Sequence, residues 1–76
     1  MTETKLDLRG LRCPLPALRV RKALGRMQPG DVVLVECTDP LSVIDIPHLI
    51  ADTKDHLLDR REKDGLFLFE IRREPR

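Results

Sequence analysis

Pro29-Gly30-Asp31-Val32-Val33-Leu34-Val35-Glu36-Cys37-Thr38-Asp39-Pro40 is the stretch that decides the fold. Pro29-Gly30-Asp31 halts whatever precedes it, because proline and glycine punctuate the chain. Val32 to Cys37 is rich in β-branched residues and predicts a well-covered strand. Alternation puts Val33, Val35 and Cys37 on one face of it and Val32, Leu34 and Glu36 on the other. Thr38-Asp39-Pro40 then ends the strand and opens a second helical region.

Upstream, Ala17 to Gln28 carries Ala17, Val20, Leu24 and Met27 at helical spacing, with Ala23 beside them and Arg19, Lys22 and Arg26 on another face. Before it, Lys5-Leu6-Asp7-Leu8-Arg9 alternates polar and apolar, which predicts a short strand broken by Gly10. Downstream, Pro47 argues against one unbroken helix from Pro40, since its ring would clash with the Val43 carbonyl. The expectation is a turn at Leu41 to Ile44, Asp45 as N-cap, and a helix from Ile46 to about Lys54. His56 to Glu62 and Leu66 to Arg72 flank Lys63-Asp64-Gly65, a strong hairpin signal read as a three-residue loop with room for a bulge. The order is β-α-β-α-β-β. Strands joined through a crossover helix run parallel and the last two antiparallel. This is an α+β chain: a two-layer sandwich with two helices on one face of a mixed four-stranded sheet.

With 76 residues the chain has room for one small domain and a modest core, so a large substrate pocket of its own is not expected. Met1-Thr2-Glu3-Thr4-Lys5 contains no apolar leader region, and no apolar run approaches the ~20 residues that span a bilayer. Two cysteines without a disulfide framework fit the reducing cytoplasm. Residues 1–28 hold seven basic side chains against two acidic ones, and residues 29–76 hold seven against eleven. That polarity suits acidic protein partners, tRNA or simple solubility. With two Phe and no Trp or Tyr, base stacking is not available, and direct RNA binding is not expected.

Cys13 is the sharpest candidate for chemistry. It precedes Pro14-Leu15-Pro16 at the point where a helix should begin, and proline is tolerated in a first turn because its missing N–H has no acceptor there. Free N–H groups, the helix dipole, Arg9 and Arg12 are all expected to favour the thiolate and lower the thiol pKa. Cys37, beside Val33 and Val35 in the alternation, reads as a core residue. Cys13, Cys37, His48 and His56 lack the short spacings of structural zinc sites, so no metal is expected. Nothing in the sequence places either histidine beside Cys13. Asp39-Pro40 and Asp45-Ile46-Pro47 read first as caps.

Leu6-Asp7, Gly10-Leu11-Arg12-Cys13-Pro14-Leu15-Pro16, Pro29-Gly30-Asp31, Asp39-Pro40, Asp45-Ile46-Pro47 and the Asp64-Gly65 hairpin with Ile71-Arg72-Arg73 together resemble the TusA-like (SirA-like) sulfur-carrier family. The resemblance covers Leu6 to Arg73. It implies a single sulfur-carrier domain over residues 1–76, with the sandwich fold inferred above. It also implies that Cys13 carries sulfur as a persulfide, with no cofactor beyond that covalent state. A donor protein such as a cysteine desulfurase or rhodanese would load it, and an acceptor protein in tRNA 2-thiolation, molybdenum-cofactor or sulfur-oxidation chemistry would unload it. Arg9, Arg12, Pro14, Pro16, Arg19 and Lys22 would support the thiolate or meet partners, and the carrier would act as a monomer rather than as a stand-alone turnover enzyme. Where family members often have glycine, near Lys54-Asp55, this chain has none, and Leu41 replaces a small residue after Asp39-Pro40. The alternative reading is a non-catalytic regulatory module that uses its basic N-terminal half to contact protein or RNA.

Overall fold

A computed structural model describes residues 3–75. The elements run β1 (Glu3–Leu8), α1 (Leu15–Arg26), β2 (Val32–Cys37), α2 (Ser42–Thr53), β3 (His56–Lys63) and β4 (Leu66–Arg72). The sheet order is β1-β2-β4-β3. β1 and β2 are parallel, with Leu6 opposite Val35 and Leu8 opposite Cys37. β4 lies antiparallel to both β2 and β3. The expected β-α-β-α-β-β sandwich is therefore present, with both helices on one face of the sheet.

That face holds the core. Leu8, Val33, Val35, Cys37, Phe67, Phe69 and Ile71 from the strands meet Val20, Leu24, Ile46, Leu49 and Ile50 from the helices, all buried. The alternation read in β2 is the one observed: Val33, Val35 and Cys37 are buried, while Val32, Leu34 and Glu36 lie half-buried on the open face. Residue period 2 in the strand and period 3.6 in α1 thus converge on one apolar layer.

Three local expectations are corrected. First, α1 starts at Leu15, so Pro16 stands inside the first turn rather than before the helix, and it ends at Arg26 rather than Gln28. Pro16 is fully buried, whereas Pro14, the N-cap, is exposed. Second, α2 is one helix from Ser42, with Pro47 inside it. Pro47 removes one N–H donor, and an interior proline costs about 3 kcal/mol. Ile46, Leu49 and Ile50 are buried by the same helix, each worth roughly 1.5–3 kcal/mol. Packing outweighs the lost bond, and the helix continues through the proline. Third, the hairpin closes through two residues, Asp64 (φ 51°) and Gly65 (φ 80°), the left-handed pair of a type I′ turn. Lys63 pairs directly with Leu66, and the register shift lies instead between Leu57 and Asp59.

At the end of α2, Lys54 occupies the left-handed C-cap position with φ 63°, and its N–H donates to the Ile50 carbonyl. This is where glycine is the usual solution. The chain keeps the turn with a lysine.

Candidate functional site

The carboxyl ends of the two parallel strands, β1 and β2, each run into a loop, and the two loops are bonded to each other. Gly10, at φ 85°, donates its N–H to Thr38 Oγ1 at 2.8 Å. Three residues on, the Cys13 N–H donates to Asp39 Oδ2 at 2.5 Å. The other oxygen, Asp39 Oδ1, accepts the Leu41 N–H at 3.2 Å. Asp39 thus fixes both the approach to α2 and the backbone of Cys13. Leu15 N–H to the Arg12 carbonyl, at 2.8 Å, closes the turn that presents the thiol.

Cys13 is exposed and free, and Cys37 is buried and free, the latter as its strand position predicts. Cys13 sits two residues before α1, and Asp45 Oδ2 lies 2.7 Å from its Sγ. Asp45 is in the first turn of α2. Because α2 is continuous, Asp45, His48, Leu49 and Asp52 fall at i, i+3, i+4 and i+7 and share a stripe that faces α1. Between them and Pro14, Ala17, Leu18 and Arg21 of the α1 side runs an open groove of about 390 Å³, with Cys13 at one end. Arg21 and Asp52 bridge its walls at 3.3 Å.

The electrostatics differ from the sequence expectation. The Cys13 thiol pKa is raised: the hydrogen bond to Asp45 comes first, then partial desolvation, then the charges of Asp45 and Asp39. The arginines do not offset this. Arg9 folds back onto Asp7, with Nε to Oδ1 at 2.9 Å and Nη2 to Oδ2 at 3.0 Å, and holds that carboxyl down at about 2. Arg12 lines a separate cleft with Gly10, Thr38 and Pro40. A thiol hydrogen-bonded to a carboxylate ionises late, because the carboxylate stabilises the protonated form and repels the thiolate.

Of the residues singled out in the sequence, Cys13 and Pro14 line the groove. Pro16 is buried in the first turn of α1 and does not line it, while Arg19 and Lys22 are exposed on the same helix. Arg21, not they, is the basic side chain that lines the groove. Asp45, His48 and Asp52 were missed as site residues. Their i, i+3, i+7 spacing was visible, but a helix starting at Ile46 leaves Asp45 off the stripe.

Exposed apolar side chains cluster at the same end: Leu15 and Leu18 on α1, and Leu41 and Ile44 at the start of α2. Among the described residues no helix is long and apolar enough to cross a membrane.

Comparison with known proteins shows the family and the fold. Residues 4–73 match the sulfurtransferase TusA family. A candidate sulfur carrier protein of Neisseria meningitidis serogroup A is 46% identical over 67 residues, covering 88% of this chain and 90% of that protein. The sulfur carrier protein TusA of Allochromatium vinosum is 41% identical over 71 residues, covering 93% of each. The crystal structure of a SirA-like protein from Desulfitobacterium hafniense superposes with a TM-score of 0.82 at 26% identity, covering 95% of this chain and 99% of that one.

Proposed function

Because this chain belongs to the sulfurtransferase TusA family, we propose that it carries sulfane sulfur as a persulfide on Cys13 and relays it between proteins. The observation that carries the reading is the placement of Cys13: an exposed thiol, fixed by its backbone to Asp39, at the end of an open groove rather than inside a closed pocket. Such a thiol can be reached by a donor's persulfide and then by an acceptor's nucleophile, each arriving on its own protein. The thiolate attacks the donor's terminal sulfur, the donor S–S bond breaks, and the donor leaves as a thiolate. No net oxidation occurs, so no redox cofactor is required.

The apolar rim of Leu15, Leu18, Leu41 and Ile44 supports protein docking around Cys13, since exposed apolar clusters mark contact surfaces. Donors of the cysteine desulfurase or rhodanese type, and an acceptor protein in tRNA 2-thiolation, molybdenum-cofactor or sulfur-oxidation chemistry, are the partners this reading names. Arg12, Arg19 and Lys22 are assigned to partner surfaces of opposite charge rather than to the thiolate. The setting is the cytoplasm, where the thiol stays reduced.

The test is intact-mass spectrometry after incubation with a cysteine desulfurase and cysteine. A gain of one sulfur in the wild type and none in Cys13→Ser supports the carrier. Failure to load with several active desulfurases and rhodaneses overturns it.

A further inference from the structure

The Asp45 carboxylate is the nearest charged group to the reactive sulfur, and the carrier reading gives it no role. Its Oδ2 is 2.7 Å from Cys13 Sγ. Among the described residues no ion pair joins Asp45 to a cation, and the one arginine in the groove, Arg21, is engaged by Asp52 at 3.3 Å. We propose that Asp45 is a positioning residue that locks the unloaded Cys13 as a neutral, oriented thiol until a docked donor displaces the contact. This rests on the carrier reading and specifies how that site is regulated.

A carboxylate can hold Sγ only while Sγ bears its proton, because a thiolate has nothing to donate. Asp39 points the same way: its carboxylate binds the Cys13 N–H and adds a second negative charge close to the sulfur. The other charged or titratable groups at this end are Arg12 on the Cys13 loop, Arg21 on α1, and His48 and Asp52 on α2. Before transfer the Sγ–H bond must break and its proton pass to water. The thiolate then takes the sulfane sulfur of a protein persulfide, whose S–S electron pair leaves with the donor thiolate. Asp45 opposes the first of these events in the free protein. A carrier built this way resists stray electrophiles and low-molecular polysulfide, and it becomes reactive only when a partner covers the groove and separates Asp45 from Sγ.

Loading has the reverse effect on the contact. Persulfides are more acidic than thiols, so the loaded group is an anion that cannot donate to Asp45 and is repelled by it. The terminal sulfur then turns away from Asp45, toward the open mouth of the groove where an acceptor can meet it.

The experiment compares wild type with Asp45→Asn and, as a second variant, Asp45→Ala. Each is first checked for an unchanged melting midpoint. Carboxamidomethylation of Cys13 by iodoacetamide is followed across pH by peptide mass spectrometry, which separates it from buried Cys37. The expected result is a rate profile displaced to lower pH in both variants. Each tenfold gain in thiolate fraction, discounted for the lower nucleophilicity of a more acidic thiol, yields roughly a threefold faster rate near neutrality. Loading by inorganic polysulfide without a partner protein should rise in step. A pH profile that coincides with wild type in both folded variants overturns the lock. Sulfur loading from a desulfurase is scored separately: loading with an unmoved profile sinks the lock alone, and a displaced profile without loading by any donor sinks the carrier reading alone.

Discussion

Asp39 accepts the backbone N–H of Cys13 from 26 positions away while its second oxygen accepts the N–H of Leu41. One carboxylate therefore ties the loop after β1 to the first turn of α2. Replacing it with alanine removes two bonds to a charged acceptor. Asp39→Ala should cost about 1.5 kcal/mol and lower the melting midpoint by roughly 6–12 °C. Asp39→Asn keeps a carbonyl acceptor and should lose less. Differential scanning calorimetry checks both, and an Asp39→Ala midpoint equal to wild type would show that the loops are held by other contacts.

The buried Cys37 makes the protein sensitive to alkali. Burial pushes its thiol up to about 11 from an ordinary 9.0, with the Ser42 hydroxyl partly opposing. The folded state keeps a proton that the unfolded chain releases, so this contribution is intact below 9.0 and falls as pH rises toward about 11. The slope is about 1.4 kcal/mol per pH unit. Urea unfolding at a series of alkaline pH values should show a shallower decline in Cys37→Ala than in wild type, and parallel declines would exclude Cys37 as the source.

Arg73 reaches back across the molecule to the end of α1, where its Nη1 donates to the Leu24 carbonyl at 2.6 Å. Its main chain pairs with Gly30 and Asp31 at 2.7 and 2.8 Å. Leu24 O also receives the Met27 N–H, and the Arg73 Nε is buried with no partner among the described residues. The side chain therefore gains one bond and carries a desolvation cost. Arg73→Ala should destabilise by only about 1 kcal/mol, and Arg73→Met, which keeps the apolar stem, by less. A loss well above that in chemical denaturation would show that the guanidinium does more than cap α1.

Lys54 stands in a left-handed conformation, φ 63°, that disfavours any residue with a Cβ by about 1–2 kcal/mol. Glycine removes that strain and adds some entropy loss on folding. Lys54→Gly should raise stability by roughly 0.5–1 kcal/mol, read as a higher urea midpoint at constant slope. A lower midpoint would mean that the lysine side chain itself stabilises the turn.

Most of the architecture was legible because period and punctuation agreed. Val32 to Cys37 alternates, Pro29-Gly30 and Asp39-Pro40 bracket it, and Asp64-Gly65 marks the hairpin. Cys13 was legible too, since Pro14 and Pro16 advertise a helix start. What could not be read was how the thiol's surroundings assemble. Asp45 lies 32 positions from Cys13, and its approach depends on α2 continuing through Pro47. Local rules count the bond that proline removes. They cannot count the burial of Ile46, Leu49 and Ile50, which belongs to the sheet those residues pack on. Arg9 is a different case: its partner, Asp7, is only two residues away, and that local ion pair, not the thiol, takes the guanidinium.

The strand registers have a practical consequence for anyone building with this protein. Glu3 pairs with Val32, and Val32 with Arg72, at one end of the sheet, while Leu8, Cys37 and Phe67 align at the other. The Cys13 loop follows Leu8, so the described ends of the chain lie about a strand length from it, on the order of 17 Å. A purification tag, fluorophore or second domain joined next to Glu3 or just after Arg72 would therefore attach at the sheet end away from the thiol. The Asp64-Gly65 turn, by contrast, projects from the thiol's own end of the sheet and is the wrong place for an insertion.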